Sequence, residues 1–305
     1  MTGELRSGVL AVDKGAGVTS FQVVAHLRRV LRVPKMGHGG TLDPAATGVL
    51  PILVGEATKL TPYLVDLEKE YTATVRLGIV TDTQDLSGTV LETHTVPELA
   101  HAEIEQVLGA FVGVTRQVPP MYSALHHEGR RLYELAREGV DVEREPREVT
   151  VHAITLLSVA LPDFVVRVRC GKGFYVRTLA ADLGKALGAG GALASLVRTR
   201  VGPYHLDAAV PWQSLREARD GEALWQRLLP PDSALAGMAA LHLDAVSARA
   251  FVHGQVVVAE APADLVRVYG PDGGLLGIGA RRGSGGVKPE RLLHADSPRP
   301  RVLPA

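Results

Sequence analysis

A chain of 305 residues, 46% of them hydrophobic, has material for one large domain and a small one, each with its own core. Its 33 basic and 33 acidic side chains cancel, so a polyanionic partner has to be gripped by local patches and not by net charge. The single cysteine, Cys170, excludes an intrachain disulfide and a multi-cysteine zinc site, and no apolar run is long enough for a signal segment or a membrane span, which fits a soluble protein of the reducing cytoplasm.

Of the basic residues 26 are Arg and 7 are Lys. Arg suits phosphate and base stacking, but a GC-rich genome produces the same Arg, Ala and Gly bias.

Gly8 to Asp13 reads as a short buried strand and Asp13-Lys14-Gly15-Ala16-Gly17 as a loop. Thr19 or Ser20 caps a helix to about Leu31, with Phe21, Val24, Leu27 and Leu31 on one face. Arg28, Arg29, Arg32 and Lys35 lack a nearby acid and lead into Gly37-His38-Gly39-Gly40-Thr41-Leu42-Asp43-Pro44. There the glycines let the backbone approach a ligand closely, and Pro44 holds Asp43 in extended geometry on a stiff loop anchored by the apolar run Val49 to Val54. A carboxylate mounted this way suits a nucleophile or a general base, and a plain Asp-Pro turn is the alternative. The spacing fits neither a dinucleotide fingerprint nor a P-loop, so no nucleotide cofactor is expected.

Lys69 to Gly78 alternates as a strand with one buried face and carries Tyr71. A polar loop, Thr81 to Gly88, precedes a second strand, Thr89 to Thr95. Pro97 to Phe111 reads as an amphipathic helix. Its His101-Ala102-Glu103 lacks the paired cysteines of a zinc deaminase. Prolines keep Thr115 to Tyr122 extended, and a helix closes at Gly139. Met121, Tyr122 and Tyr133 interleaved with Arg130, Arg131 and Arg137 make a stacking-plus-charge mixture suited to single-stranded nucleic acid, diluted by Glu128, Glu134 and Glu138 to something a plain surface helix also explains.

Two strands, Val149 to Ala160 and Phe164 to Cys170, surround a turn. Gly171 to Arg177 then leads into a helix from Thr178 to Leu187, which places Arg177 to pair with a buried carboxylate. Leu193 to Tyr204 reads as a strand with two exposed cations, Arg198 and Arg200, and Trp212 to Leu228 as one helix. After Leu229-Pro230-Pro231 come β runs at Phe251 to Val258, Leu265 to Tyr269 and Leu275 to Ile278. They form a small β module whose end is basic through Arg281, Arg282, Lys288, Arg291, Arg299 and Arg301.

Taken together, Gly37 to Pro44 with Gly48-Val49-Leu50 and Gly55 to Lys59, Tyr71 with Arg76-Leu77-Gly78, Pro119 to Leu125, Gly171 to Leu179 and Val201-Gly202-Pro203-Tyr204 resemble the bacterial tRNA pseudouridine synthases of the TruB type. The tail, with Gly254-Gln255, Gly273 to Gly277 and Lys288 to Arg291, resembles a PUA-type RNA-binding domain. The resemblance implies an α+β fold. Residues 1–230 would form a catalytic domain with a mixed, largely antiparallel central sheet flanked by helices, and residues 231–305 the PUA-like module.

It also implies isomerisation of uridine 55 in the tRNA T loop by a cytoplasmic monomer that needs no cofactor, metal, membrane or protein partner. By similarity Asp43 is the essential carboxylate, Tyr71 stacks on the flipped base and accepts a proton, and Arg177 pairs with Asp43. Tyr175 shapes the pocket, Leu196 supplies an apolar wall, His38 holds the opened RNA loop, and Lys14 and Lys59 contact substrate. Gly15 stands where the family has proline, and His126 where it has lysine. An RNA-folding protein with secondary activity and a guide-RNA-dependent synthase are the competing readings.

Overall fold

The structure, a computed structural model, describes residues 7–123, 125–218, 221–283 and 285–293. The basic residues Arg299 and Arg301 lie outside that range. Strand β1 (Gly8–Lys14) is buried almost throughout. Helix α1 (Ser20–Leu31) starts on a reciprocal cap, in which Gln22 N–H donates to Thr19 Oγ1 at 3.1 Å and Thr19 N–H to Gln22 Oε1 at 2.8 Å. Its buried stripe is Val23, Val24, Leu27 and Leu31. Phe21, expected in that stripe, is exposed because it lies about 100° around the axis from Ser20. Lys35 does have an acid: its Nζ donates to Glu56 at 2.8 Å, a partner too distant in sequence to be read locally.

Strands β2 (Met36–His38) and β3 (Thr47–Val54) are followed by a tight 3-10 turn (Gly55–Leu60) and α2 (Thr61–Asp66). β4 (Lys69–Leu77) buries every second residue, as its alternation required. An exposed hairpin, β5 (Ile79–Thr81) with β6 (Val90–Thr93), precedes α3 (His101–Ala110), which buries Ile104 and Leu108. β7 (Gly113–Gln117) leads to the small hairpin β8 (His126–His127) and β9 (Arg130–Arg131) and to α4 (Leu132–Arg137), ended by Gly139 at φ +75°.

β10 (Arg147–Ala160), β11 (Asp163–Cys170), α5 (Val176–Ala186) and β12 (Gly191–Val201) complete this part. Next come β13 (Tyr204–His205) and β14 (Val210–Pro211), then α6 (Trp212–Glu217) and α7 (Glu222–Trp225) where one helix was expected. Helix α6 ends at Ala218, whose backbone is extended (ψ 118°), and at Gly221, which precedes α7, an added Cβ would press on Leu31. The tail holds β15 (Ala240–His242), α8 (Ala245–Val252), β16 (Val257–Val258), β17 (Leu265–Tyr269), β18 (Leu275–Arg282) and β19 (Gly286–Leu292). Phe251, expected in a strand, belongs to α8, whose cap is Asp244: Ser247 N–H donates to its Oδ1 at 2.8 Å.

The chain falls into two compact units, one made of the residues up to Gly40, Val49–Val65 and those from Gly202 on, the other of Thr41–Gly48 and Asp66–Val201. In the first, β1 runs parallel to β14 and β2 antiparallel to β3, while β15-β17-β18-β19-β16 form the tail sheet over a core of Phe251, Val257, Val266, Val268, Leu276 and Val287. In the second, β12-β4-β11-β10-β7 make an antiparallel sheet, and Thr47 and Gly48 join it parallel to Val197 and Arg198. The whole is thus α+β with a mixed, largely antiparallel sheet. No helix among the described residues is long and apolar enough to cross a membrane.

Candidate active site

The second unit brings Asp43, Arg177, Tyr71, Tyr175 and Leu196 together. The loop carrying Asp43 is closed by a turn in which Ala46 N–H donates to Asp43 O at 3.1 Å, and it is locked at Gly48, φ +102°. Gly48 lies directly opposite Arg198, and a Cβ there would overlap the Arg198 carbonyl. A left-handed backbone packed this closely on another strand needs glycine.

Arg177, in the first turn of α5, is the hub. Its Nε lies 2.9 Å from Asp43 Oδ2 and 3.9 Å from Asp85 Oδ2. Nη1 donates to Thr83 O at 3.0 Å and Nη2 to Tyr122 O at 2.7 Å. The guanidinium is 5% exposed and the Asp43 side chain 42%, so one carboxylate faces solvent while its cation is held from behind. Such a charge-assisted contact aims the carboxylate toward solvent.

Asp85 is an acid that the sequence left in a polar loop. Its Oδ1 accepts from Thr83 Oγ1 at 2.7 Å, Ser87 N at 2.9 Å and Ser87 Oγ at 2.5 Å, which leaves Oδ2 toward Arg177. The Thr-Asp-Thr-Gln-Asp-Leu-Ser-Gly run, rich in side chains that bond their own backbone, was the available signal.

Tyr71 is buried on β4, directly opposite Arg198 on β12 and Val168 on β11. Burial pushes its phenol above the ordinary value. The Arg198 guanidinium, hydrogen-bonded to it, pulls the other way, and the Asp43 carboxylate adds an upward push. Arg198 is therefore no exposed cation: it is 1% exposed, and its Nη1 donates to Thr41 O at 3.4 Å. Arg200, expected exposed as well, is half-buried against Glu68. Leu196 is half-buried and sits opposite Ala73, on the same face as Tyr71.

Tyr175 precedes α5. Its N–H donates to Gln117 Oε1 at 3.0 Å and its carbonyl accepts from Gln117 Nε2 at 3.3 Å; burial raises its phenol. Lys69, two residues before Tyr71, is pushed down to about 8, first by burial and then by the charge of Arg198.

The other expected contacts fall in the first unit. His38 ends β2, half-buried, opposite Ile52. Lys59 Nζ donates to Leu292 O at 2.8 Å and lies 2.6 Å from Glu56 Oε2. Lys14 is fully buried, its Nζ donating to Val18 O at 2.8 Å and Gly15 O at 3.1 Å, so its ammonium braces the loop that follows β1. At Gly15, Trp212 packs over the backbone.

Three family descriptions match consecutive stretches: "TruB family pseudouridylate synthase (N terminal domain)" over residues 28–176, "tRNA pseudouridylate synthase B C-terminal domain" over 177–236 and "Pseudouridine synthase II TruB, C-terminal" over 239–293. The chain is 47% identical over 294 residues to the tRNA pseudouridine synthase B of Chromohalobacter salexigens, with 95% of each covered. It is 47% identical over 287 residues to that of Aromatoleum aromaticum, with 94% of this chain and 92% of the relative covered. Among solved structures a Cbf5-Nop10-Gar1 complex is similar at a TM-score of 0.73 and 25% identity, covering 98% of this chain and 88% of the other. With near-half identity along almost its whole length, the chain belongs to the TruB family of pseudouridylate synthases.

Proposed function

We propose that this protein converts uridine to pseudouridine in tRNA, at position 55 of the T loop, acting as a stand-alone cytoplasmic enzyme. The relatives named as tRNA pseudouridine synthase B support the substrate class. The observation that carries the chemistry is the 2.9 Å approach of Arg177 Nε to a solvent-facing Asp43 carboxylate in the unit that also buries Tyr71.

In this reading the uridine leaves its stack at a cost of a few kcal/mol, least in a loop already partly unpaired. It settles against Tyr71 with Leu196 as an apolar wall and Tyr175 shaping the rim. Asp43, paired with Arg177, promotes cleavage of the N-glycosidic bond, whose electron pair leaves with N1, and any bond it forms is released again when C5 joins the sugar carbon; the proton displaced from C5 is relayed by the Tyr71 hydroxyl, and N1 takes up a proton in its place. Asp85 shares Arg177 and steadies it. His38 and Lys59 face the rest of the RNA, and the β module of residues 239–293 adds a PUA-like grip on the stem.

The test uses purified protein and a T stem-loop transcript with no other component. Pseudouridine is expected at the single T-loop position, and Asp43→Asn is expected to abolish it while RNA affinity stays. Full yield from Asp43→Asn refutes the role of the carboxylate. Failure of the unaltered protein, with rescue by a guide RNA, refutes the stand-alone reading.

A further inference from the structure

Among the described residues Arg198 is the largest fully buried side chain, and the reaction as outlined gives it no task. Withdrawing a guanidinium from water is expensive, and a purely structural position on this sheet would be filled at less cost by an apolar residue. Its surroundings indicate what it does instead.

In register, Arg198 lies opposite Tyr71 on one side and opposite Gly48 on the other. Residues directly opposite across paired strands project to the same face, so Arg198 and Tyr71 share one. The Arg198 guanidinium also reaches the carbonyl of Thr41 at 3.4 Å, two residues before Asp43. One side chain therefore bonds to the loop that presents the carboxylate and stands beside the phenol facing the base.

We propose that Arg198 is a positioning residue for the isomerisation, its buried guanidinium clamping the Asp43 loop to the Tyr71 strand so that carboxylate and phenol meet the base in fixed relation. The inference rests on the reading that Asp43 and Tyr71 are the reacting pair. It draws further support from the hydrogen bond and charge by which Arg198 pulls the Tyr71 phenol down against its burial. Lys69 lies on the same face of β4 and feels the same guanidinium, so Tyr71 has two buried cations beside it on a face that is otherwise apolar through Ala73 and Val168. A clamp of this kind leaves RNA binding untouched and acts on the chemical step, because small misplacements of reacting groups lower the rate steeply.

The experiment compares Arg198→Met and Arg198→Lys with the unaltered protein by thermal melting, by affinity for a T stem-loop and by single-turnover pseudouridine formation at saturating enzyme. Arg198→Met is expected to slow the single-turnover rate about 100-fold while affinity stays within about threefold, and Arg198→Lys, keeping a donor and the charge, to recover about tenfold of the loss. A rate for Arg198→Met within about threefold of the unaltered protein overturns the proposal, as does a parallel loss of affinity and rate. Should Arg198→Met fail to fold, Arg198→Lys against Arg198→Gln decides: equal rates overturn the proposal, and a faster Lys variant supports it. Asp43→Asn runs alongside. If it is fully active, the proposed active site itself fails; if it is inactive while Arg198→Met is normal, only the clamp fails.

Discussion

Replacing Arg177 by Met removes one guanidinium and strands four acceptors: the carboxylates of Asp43 and Asp85 and the carbonyls of Thr83 and Tyr122. With charge centres about 4 Å apart and an effective dielectric near 20, the ion pair with Asp43 is worth at most about 4 kcal/mol. The half-exposed Asp43 side chain recovers much of that from water once its partner is gone. The two carbonyls lose their donor at about 1 kcal/mol each, and Asp85, more deeply set, adds to the loss. A net destabilisation of about 3 kcal/mol follows, within the range for breaking a buried pair, and corresponds to a fall in Tm of about 5 °C for a chain of this size. Activity should fall further, by about 100-fold or more in single turnover, because the carboxylate loses its aim as well as its cation. Differential scanning calorimetry and quenched single-turnover assays on the same preparation measure both. A variant that melts within about 1 °C of the unaltered protein with a rate within about fivefold refutes the idea that Arg177 organises the site.

Gly48→Ala forces an L side chain into φ +102° against the Arg198 carbonyl and should cost about 3 kcal/mol, seen as a lower urea midpoint with an unchanged slope. At Glu56 burial works to raise the carboxyl, yet the hydrogen bonds and charges of Lys35 and Lys59 outweigh it and hold it at about 2. A carboxyl lowered on folding contributes stability that is complete above its unfolded pKa and is lost as pH falls through the folded one. Glu56→Gln should therefore destabilise by about 1 kcal/mol at pH 7, after allowance for solvent screening, and the difference should shrink between about pH 4.5 and 2. A difference independent of pH in a melting series would contradict that assignment.

The parts of the fold written as local rhythm were legible. The alternation of Lys69 to Leu77, the Thr19 cap and the closing Gly139 each carry a short-range cause and appear where the sequence placed them. What escaped depends on partners far along the chain. Lys35 finds Glu56 only when β2 lies on β3. Arg198 passed for a surface cation because arginine is rarely buried, and because β12 carries irregularities between Leu193 and Ser195 and again between Arg198 and Arg200 that upset simple alternation. Phe251 was read by its apolar, β-prone neighbours when the stronger signal was Asp244 at helix-capping distance. In the candidate site, Asp43, Arg177 and Tyr71 were named from the motifs. Asp85 and Arg198, which bond to them or stand beside them, have no motif a single sequence announces.

The eight residues that present the carboxylate are packed with Asp66–Val201, although the chain on either side of them is packed elsewhere. A nascent or nicked polypeptide holding only one contiguous part of that body lacks either the acid or the guanidinium behind it. The contact between them closes a very long loop, an entropic debt that local contacts cannot settle early. Competence to rearrange a nucleobase should thus arrive at the end of folding, and truncated chains should be inert toward RNA even where they still bind it.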